Sequence, residues 1–221
     1  MFNSSPRKIT LLLIAVVGLT ISNVCAQTDK QFRKYIAALD SAKTISGLIS
    51  AEKNFTQLIT EEKRLKQSLY FGALANLFLA MEKGIEDPGG YMRRADLYLK
   101  RLDSLSPNNS EIYVLFSMSA ASKIVLDSQS YKLKYGTQAN KFAERAIILN
   151  GNNPRAHLIK AKAVMNAPAK LGGGPKFAMK HYEKSIEKFK AYKPLDATEP
   201  DWGYEMAKKE LQDCKNKLNV K

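Results

Sequence analysis

The side chains best suited to catalysis or metal binding are few in this sequence. His157 and His181 are the only histidines, and Cys25 and Cys214 are the only cysteines. A zinc site with three protein ligands would therefore need carboxylates from distant parts of the chain. There is no Gly-x-Ser-x-Gly or His-Glu-x-x-His motif, and no Ser-x-x-Lys in an arrangement that suggests an active site. The sequence predicts a protein that is not an enzyme and that holds no metal or cofactor.

A glycine-rich segment, Gly172-Gly173-Gly174-Pro175-Lys176, could bind phosphate. Glycines before a helix present free N–H groups to an anion. Pro175 removes one of these donors, however, and no strand precedes the glycines as it does in phosphate-binding loops. The segment is therefore interpreted as a flexible connection in which Pro175 begins the next helix.

Four lysines recur every fourth residue from Lys176 to Lys188 and predict a positive stripe on one helix face. Such a stripe could attract an anionic membrane, a glycan or an acidic protein. Glu183 and Glu187 lie beside it, which favours a solvated outer face instead. Nucleic acid is not an expected partner, because the sequence has no combined aromatic and basic platform for bases.

The first 26 residues are typical of a secretory signal peptide. Arg7 and Lys8 precede an apolar run at residues 9–21, and Val24 and Ala26 occupy the −3 and −1 cleavage positions. The run is shorter than the roughly 20 residues of a membrane-spanning helix. We therefore expect residues 1–26 to be removed and residues 27–221 to form one periplasmic domain with no transmembrane segment. Its 33 basic and 21 acidic side chains give a net charge of +12.

A lipid anchor on Cys25 is the alternative to simple cleavage. Ser22 and Val24 fit poorly with the residues that normally precede an acylated cysteine. When the leader is removed, Cys214 is the only thiol left in an oxidising compartment, so no intramolecular disulfide can form. Packing alone must then stabilise the fold.

Apolar residues recur at spacings of three and four through most of the chain, which predicts an all-α domain. Gly84 and Gly151 are placed to end helices in a left-handed conformation. Asp87-Pro88 and Asn153-Pro154 are typical helix starts, with a capping side chain before proline. These signals predict nine helices, at residues 29–43, 46–60, 64–83, 88–105, 110–130, 134–150, 154–167, 175–191 and 201–219.

An internal repeat favours a stack of helical hairpins over a bundle. Residues 95–117 carry a small residue, an apolar residue and Pro107, and then a bulky, an apolar and a small residue, at spacings that resemble the tetratricopeptide (TPR) pattern. Residues 139–161 and 178–185 continue it. Small residues at these positions let paired helices approach closely. The resemblance is to exported bacterial TPR proteins. It implies a TPR-like right-handed solenoid of antiparallel hairpins, irregular in its connections.

The C-terminal residues are expected to cap this solenoid. Trp202 lies on the apolar side of the predicted last helix, together with Leu211, Cys214 and Leu218. A terminal repeat of a solenoid needs such a covering element. We expect this side to pack on the helix at residues 175–191.

The TPR resemblance implies an extracytoplasmic scaffold that binds a protein or peptide partner of the cell envelope. The partner would lie in the concave groove formed by the first helix of each hairpin. The glycine insertion before Pro175 also resembles the periplasmic TPR partner of TRAP-type solute transporters. A solute-receptor component of a periplasmic transport system is therefore the alternative. The TPR register places six residues on an exposed concave face: Val114, Met118, Arg155, Leu158, Lys162 and Met165.

Overall fold

The computed structural model describes residues 29–126 and 128–219, with side chains at 29–124 and 132–219. Within these ranges the regular secondary structure is helical, which confirms the all-α prediction. The predicted leader at residues 1–26 lies outside them. The α-helices are α1 (29–40), α2 (Ile45–Thr60), α3 (Leu65–Met81), α4 (Pro88–Leu105), α5 (Ser110–Leu126), α6 (Ser128–Leu149), α7 (Pro154–Asn166), α8 (Pro175–Ala191) and α9 (Tyr204–Asn219). A short 3-10 helix at Ala169–Leu171 follows α7.

Local capping chemistry sets several of these boundaries. The Asp87 carboxylate accepts a hydrogen bond from the Gly90 N–H at 2.7 Å and begins α4. The Asn153 side chain accepts hydrogen bonds from the first two N–H groups after Pro154 and begins α7. Gly84 has φ 85°, as expected for a residue that follows a helix end. The same expectation is wrong for Gly151, which lies in the turn after α6 without a positive φ.

Consecutive helices pack as hairpins, in the pairs α3 with α4, α5 with α6, and α7 with α8. The first helices of these pairs also contact one another, α3 with α5 and α5 with α7. They form an inner layer, and α4, α6 and α8 lie outside it. α9 packs on α8, as predicted for a terminal helix. This is the solenoid-like arrangement that the hairpin prediction required.

The small residues of the repeat lie where helices of a pair cross. Ala146 and Ala178 are fully buried. The hydroxyls of Ser117 and Ser185 donate to backbone carbonyls of the facing helix, each at 2.8 Å. These contacts confirm close helix crossings at the predicted positions. The identification as a TPR protein is not tested by them and stays a prediction.

The glycine segment forms a hydrogen-bonded turn. Gly172 and Gly174 have φ of 75° and 109°, which side-chain-bearing residues rarely adopt. A Cβ atom on Gly173 would overlap the Ala167 carbonyl. The N–H groups of Gly173 and Gly174 donate to carbonyl oxygens of the protein, at 3.1 and 3.0 Å. These two groups are therefore not free to bind an anion, which supports the interpretation as a connection.

The segment between α8 and α9, residues 192–203, is called the strap. It runs back across the inner layer. The Trp202 ring packs edge-on against Phe78 of α3, with ring centroids 6.3 Å apart. The expectation that Trp202 belongs to the last helix is therefore wrong, although the last helix itself packs on residues 175–191 as expected. α9 begins two residues later, and Trp202 joins the far end of the strap to α3.

Hydropathy gives no helix within the described ranges that is long and apolar enough to span a bilayer.

Candidate functional site

A cavity of about 950 Å³ lies between the strap and the first turns of the inner helices. Its lining includes Lys66 and Tyr70 of α3, Glu111 of α5, Arg155 of α7 and Tyr192 of the strap. Ligand pockets of proteins span about 300–1,000 Å³. The cavity is thus large enough for a sizeable organic ligand, and several helices together with the strap position its side chains.

The centre of the lining is a buried ion pair between α5 and α7. The Nε atom of Arg155 donates to both carboxylate oxygens of Glu111, at 2.9 and 3.0 Å. The Arg155 side chain is only 1% exposed, and its guanidinium carbon lies 4.6 Å from the centre of the Tyr192 ring. Burial acts to lower the pKa of Arg155, but the Glu111 carboxylate, together with Tyr70 and Tyr192, outweighs burial and holds this pKa above its ordinary value. The guanidinium is therefore always charged.

Tyr70 extends this pair towards the strap. Its hydroxyl donates to Oε2 of Glu111 at 2.8 Å and accepts the indole N–H of Trp202 at 3.0 Å. Burial and the nearby Glu111 carboxylate raise the pKa of Tyr70 well above its usual value, so the hydroxyl stays protonated. Each of these buried polar groups has a partner, as buried polar groups require. Together they fix the floor of the cavity.

Positive charge dominates the lining. Besides Arg155, three lysines contribute: Lys66, Lys188 and Lys193. The lining contains two carboxylates, Glu111 and Glu199. Four cations thus face two anions. The N-terminal ends of α5 and α7 also point towards the cavity. The partial positive charge of helix N-termini makes the electrostatic potential in the cavity more positive.

The three lysines differ in how they are engaged. The Nζ atom of Lys188 donates to the Asn152 side chain at 2.8 Å. Lys66 and Lys193 are exposed and form no ion pair or side-chain hydrogen bond within the part of the chain that the structure describes. These two ammonium groups are the ones available to an incoming anion.

The remaining lining divides into polar and apolar parts. Five asparagines supply much of the polar part: Asn108, Asn109, Asn150, Asn152 and Asn153. Phe71, Ile112 and the aromatic faces of the two tyrosines supply apolar surface. The cavity therefore offers hydrogen bonds, positive charge and aromatic contact, which are the groups that bind an anionic ligand with an apolar body.

The predicted concave residues are placed differently from the expectation. Val114 and Leu158 are fully buried, and Met118 is 6% exposed. The expected exposure is therefore wrong for these three. α3, α5 and α7 pack side by side, and the strap covers α7: a Cβ atom on Gly203 would lie 3.2 Å from the Leu158 side chain.

The other three predicted residues also have partners within the protein. Arg155 is buried in the cavity floor. Lys162 is half-buried and pairs with Glu210 of α9 at 3.0 Å. The sulfur of Met165 lies 3.7 Å from that of Cys214. The structure therefore brings only Arg155 to the cavity, and a role of the six residues in binding a partner stays a prediction.

Sequence reasoning missed Lys66, Glu111, Tyr192 and Lys193, and it placed Tyr70 among the packing residues. One signal was present for Glu111. Asn109 caps α5, and Glu111 lies two residues after it. In the same way, Asn153 caps α7, and Arg155 lies two residues after it. Equivalent positions on adjacent inner helices are neighbours in a stacked repeat. Opposite charges there indicate an ion pair between repeats.

The histidines lie apart from the cavity. Nε2 of His157 lies 2.9 Å from the Gly151 carbonyl oxygen. Burial, with the charges of Lys160 and Lys180, lowers the pKa of His181 to about 4. Within the described ranges, no group of three His, Cys, Asp or Glu side chains is arranged to hold a metal ion.

Comparison of the sequence with protein families gives no match, and comparison with curated proteins gives none either. Among solved structures, the chain is similar to the HusA haemophore from Porphyromonas gingivalis, with a TM-score of 0.76 and 25% sequence identity. The similarity covers 86% of this chain and 93% of that one. A haemophore is a haem-carrying binding protein and not an enzyme. This chain shares its helical architecture with such a protein over nearly the whole described length.

Proposed function

We propose that this chain is a non-enzymatic binding protein that acts outside the cytoplasm, and that its ligand is haem or a similar carboxylated porphyrin. The observation that carries the proposal is the similarity to a haemophore over 86% of the chain. A shared fold does not by itself imply a shared ligand. The ligand must therefore be argued from the cavity.

The cavity suits a flat, aromatic ligand with acidic groups at its edge. Its volume of about 950 Å³ lies at the upper end of the range for ligand pockets. The rings of Tyr70 and Tyr192 supply aromatic surface, and the excess of cations supplies sites for carboxylates. Haem has this combination of an apolar ring and two propionates.

Iron ligation contributes less to this proposal than the ring and its acids do. Proteins hold haem iron through His, Cys, Met or Tyr side chains. Of these types, tyrosine lines the cavity, and both hydroxyls are already hydrogen-bonded: Tyr70 to Glu111, and Tyr192 to the Pro200 carbonyl at 2.9 Å. We therefore expect binding energy to come mostly from the macrocycle and its carboxylates.

Titration with haem tests the proposal directly. Trp202 is the only tryptophan, and its N–H bonds to Tyr70 in the cavity lining. Bound haem should quench its fluorescence saturably at one equivalent, with a matching change in haem absorbance. Ala191 is exposed and lines the cavity, so Ala191→Phe should weaken binding by narrowing it. Ala169→Phe, at an exposed site outside the lining, is the control. Absence of saturable quenching in the unmodified protein would refute the proposal.

Export is the second part of the proposal. It is supported by the leader-like residues 1–26, with cleavage after Ala26. Intact-mass measurement of protein from the cell envelope should give a chain that begins at Gln27. A diacylated chain that begins at Cys25 would instead establish the lipid-anchored alternative.

A peptide or protein partner is the second candidate ligand. The five asparagines of the lining favour it, because side-chain amides donate and accept in the pattern of a peptide backbone. A receptor component of a transport system, which carries a solute to a membrane partner, fits the same cavity. Affinity capture from cell envelopes with the unmodified protein and with Ala191→Phe separates these cases. A peptide that only the unmodified protein retains would support the peptide role.

A further inference from the structure

The cations that line the cavity are not equally free to bind a ligand. Arg155 is 1% exposed, its Nε donates to both carboxylate oxygens of Glu111, and its Nη1 donates to the Trp202 carbonyl. Lys188 is half-buried and donates to Asn152. Lys66 and Lys193 alone among the four have neither an ion pair nor a side-chain hydrogen bond within the described ranges. The cavity therefore presents two unengaged ammonium groups.

These two lysines belong to different elements. Lys66 lies in the first turn of α3, and Lys193 lies in the strap just after α8. Both side chains are exposed, so each can change rotamer to meet a charged group without disturbing the core. An ammonium group is a compact point charge that tolerates variation in the direction of approach. The pair can thus contact two separate acidic groups of one ligand.

The charge balance of the cavity lining indicates how many acidic groups the ligand should carry. Glu111 is paired with Arg155, and the Glu199 carboxylate accepts the Leu195 N–H at 2.7 Å. With four cations and two carboxylates, the lining carries two positive charges in excess. Like charges around a cavity repel one another, and a dianionic ligand removes that repulsion.

We propose that Lys66 and Lys193 bind the two carboxylates of the ligand, so that the protein selects dicarboxylate porphyrins over their neutral esters. This inference rests on the proposed function. It goes further by assigning the specificity to two residues and to one chemical feature of the ligand.

The test compares haem with haem dimethyl ester, which keeps the ring and the iron and lacks the two charges. Dissociation constants are measured for the unmodified protein and for Lys66→Gln/Lys193→Gln. The control is Lys100→Gln/Lys180→Gln, which removes the same charge from exposed sites on the outer helices α4 and α8. Circular dichroism checks that all three proteins are folded.

We expect haem to bind the Lys66→Gln/Lys193→Gln protein roughly tenfold more weakly, since partly exposed ion pairs each contribute modestly. The dimethyl ester should bind the unmodified protein about as weakly as haem binds the variant. The variant and the unmodified protein should bind the ester equally well. The control should bind haem normally.

Two other results have distinct meanings. If the unmodified protein binds haem and its ester equally, or if the double substitution leaves haem binding unchanged, the carboxylate assignment is overturned and the proposed function stands. If the unmodified protein binds neither ligand, the proposed function fails and this assignment fails with it.

Discussion

The indole N–H of Trp202 donates a hydrogen bond to the Tyr70 hydroxyl at 3.0 Å, although 132 residues separate the two in sequence. Tyr70 donates to Glu111, and Arg155 donates to the same carboxylate. Nη1 of Arg155 lies 3.4 Å from the Trp202 carbonyl oxygen and completes a ring of hydrogen bonds. Hydrogen bonds in such networks support one another in a low-dielectric interior. The strap is therefore held by four residues that act as a unit.

Trp202 should contribute strongly to stability through packing. Replacement with Ala removes the contact with Phe78, and we expect a loss of about 3–5 kcal/mol in the free energy of unfolding. Trp202→Phe keeps an aromatic ring but loses the N–H and part of the buried ring volume, so the loss should be smaller, about 1–3 kcal/mol. Urea unfolding followed by circular dichroism measures both. Equal losses would show that the hydrogen bond, and not packing, holds the strap.

Replacing only one partner of the buried ion pair should lower the free energy of unfolding strongly. Arg155→Met leaves the Glu111 carboxylate without its cationic partner, and we expect a loss of about 3–5 kcal/mol. Arg101→Met removes an exposed pair with Glu62 and should cost less than about 1 kcal/mol.

Adding Glu111→Gln to Arg155→Met should restore part of that stability, because the unpaired charge is then gone. Denaturant midpoints of the single and double variants check this. If the two losses simply add, the residues are not coupled as the geometry indicates.

The free energy of unfolding should decrease as the pH is lowered, because His181 has a depressed pKa in the folded protein. Its folded pKa of about 4 lies below its ordinary value of 6.5, because burial and the nearby lysines disfavour the charged form. The unfolded state therefore binds a proton first as the pH falls. The contribution is fully present above about pH 6.5 and is lost progressively down to about pH 4.

His181→Gln should flatten this part of the stability profile. Denaturant unfolding at pH 7, 5.5 and 4 compares the variant with the unmodified protein, and proton NMR of the imidazole gives the folded pKa. An imidazole that titrates near 6.5 in the folded protein would contradict the prediction.

Small-to-large substitutions at the helix crossings should overpack them. Ala146→Leu and Ala178→Leu should each lower the free energy of unfolding by about 1–3 kcal/mol, because both positions are fully buried between helices. Ala169→Leu, at an exposed position, is the matched control. Unchanged denaturant midpoints for the two buried variants would show that the crossings can expand.

Sequence periodicity was sufficient for the helices and for their pairing. Helix boundaries depend on local signals, such as Asp87 before α4 and Asn153 before α7, and these can be recognised in one sequence. α6 is an exception, since it begins at Ser128 rather than at residue 134. Asp127 and Ser128 are residue types that favour a helix start, but the sequence predicts that the preceding helix continues to residue 130.

Exposure of the concave face could not be predicted in the same way. Periodicity shows which residues share a face, but it does not show what covers that face. Met118 is 6% exposed and belongs to the hydrophobic core, so Met118→Asp should destabilise the fold.

The cavity depends on contacts between residues far apart in sequence, such as Tyr70 with Trp202. No local pattern contains that information. Only the equivalent positions of Glu111 and Arg155 in neighbouring repeats carried a readable signal.

The strap also joins the two ends of the helical stack. Arg64, just before α3, donates to Asp29 of α1 at 2.8 Å, and its Nη1 lies 3.4 Å from the Thr198 hydroxyl. An open solenoid can bend along its length, because each repeat contacts only its neighbours. Its terminal repeats can also unfold separately. This one is closed into a loop by its own chain. Bending of the stack would have to break these contacts, so they should limit changes in its curvature and in the width of the cavity.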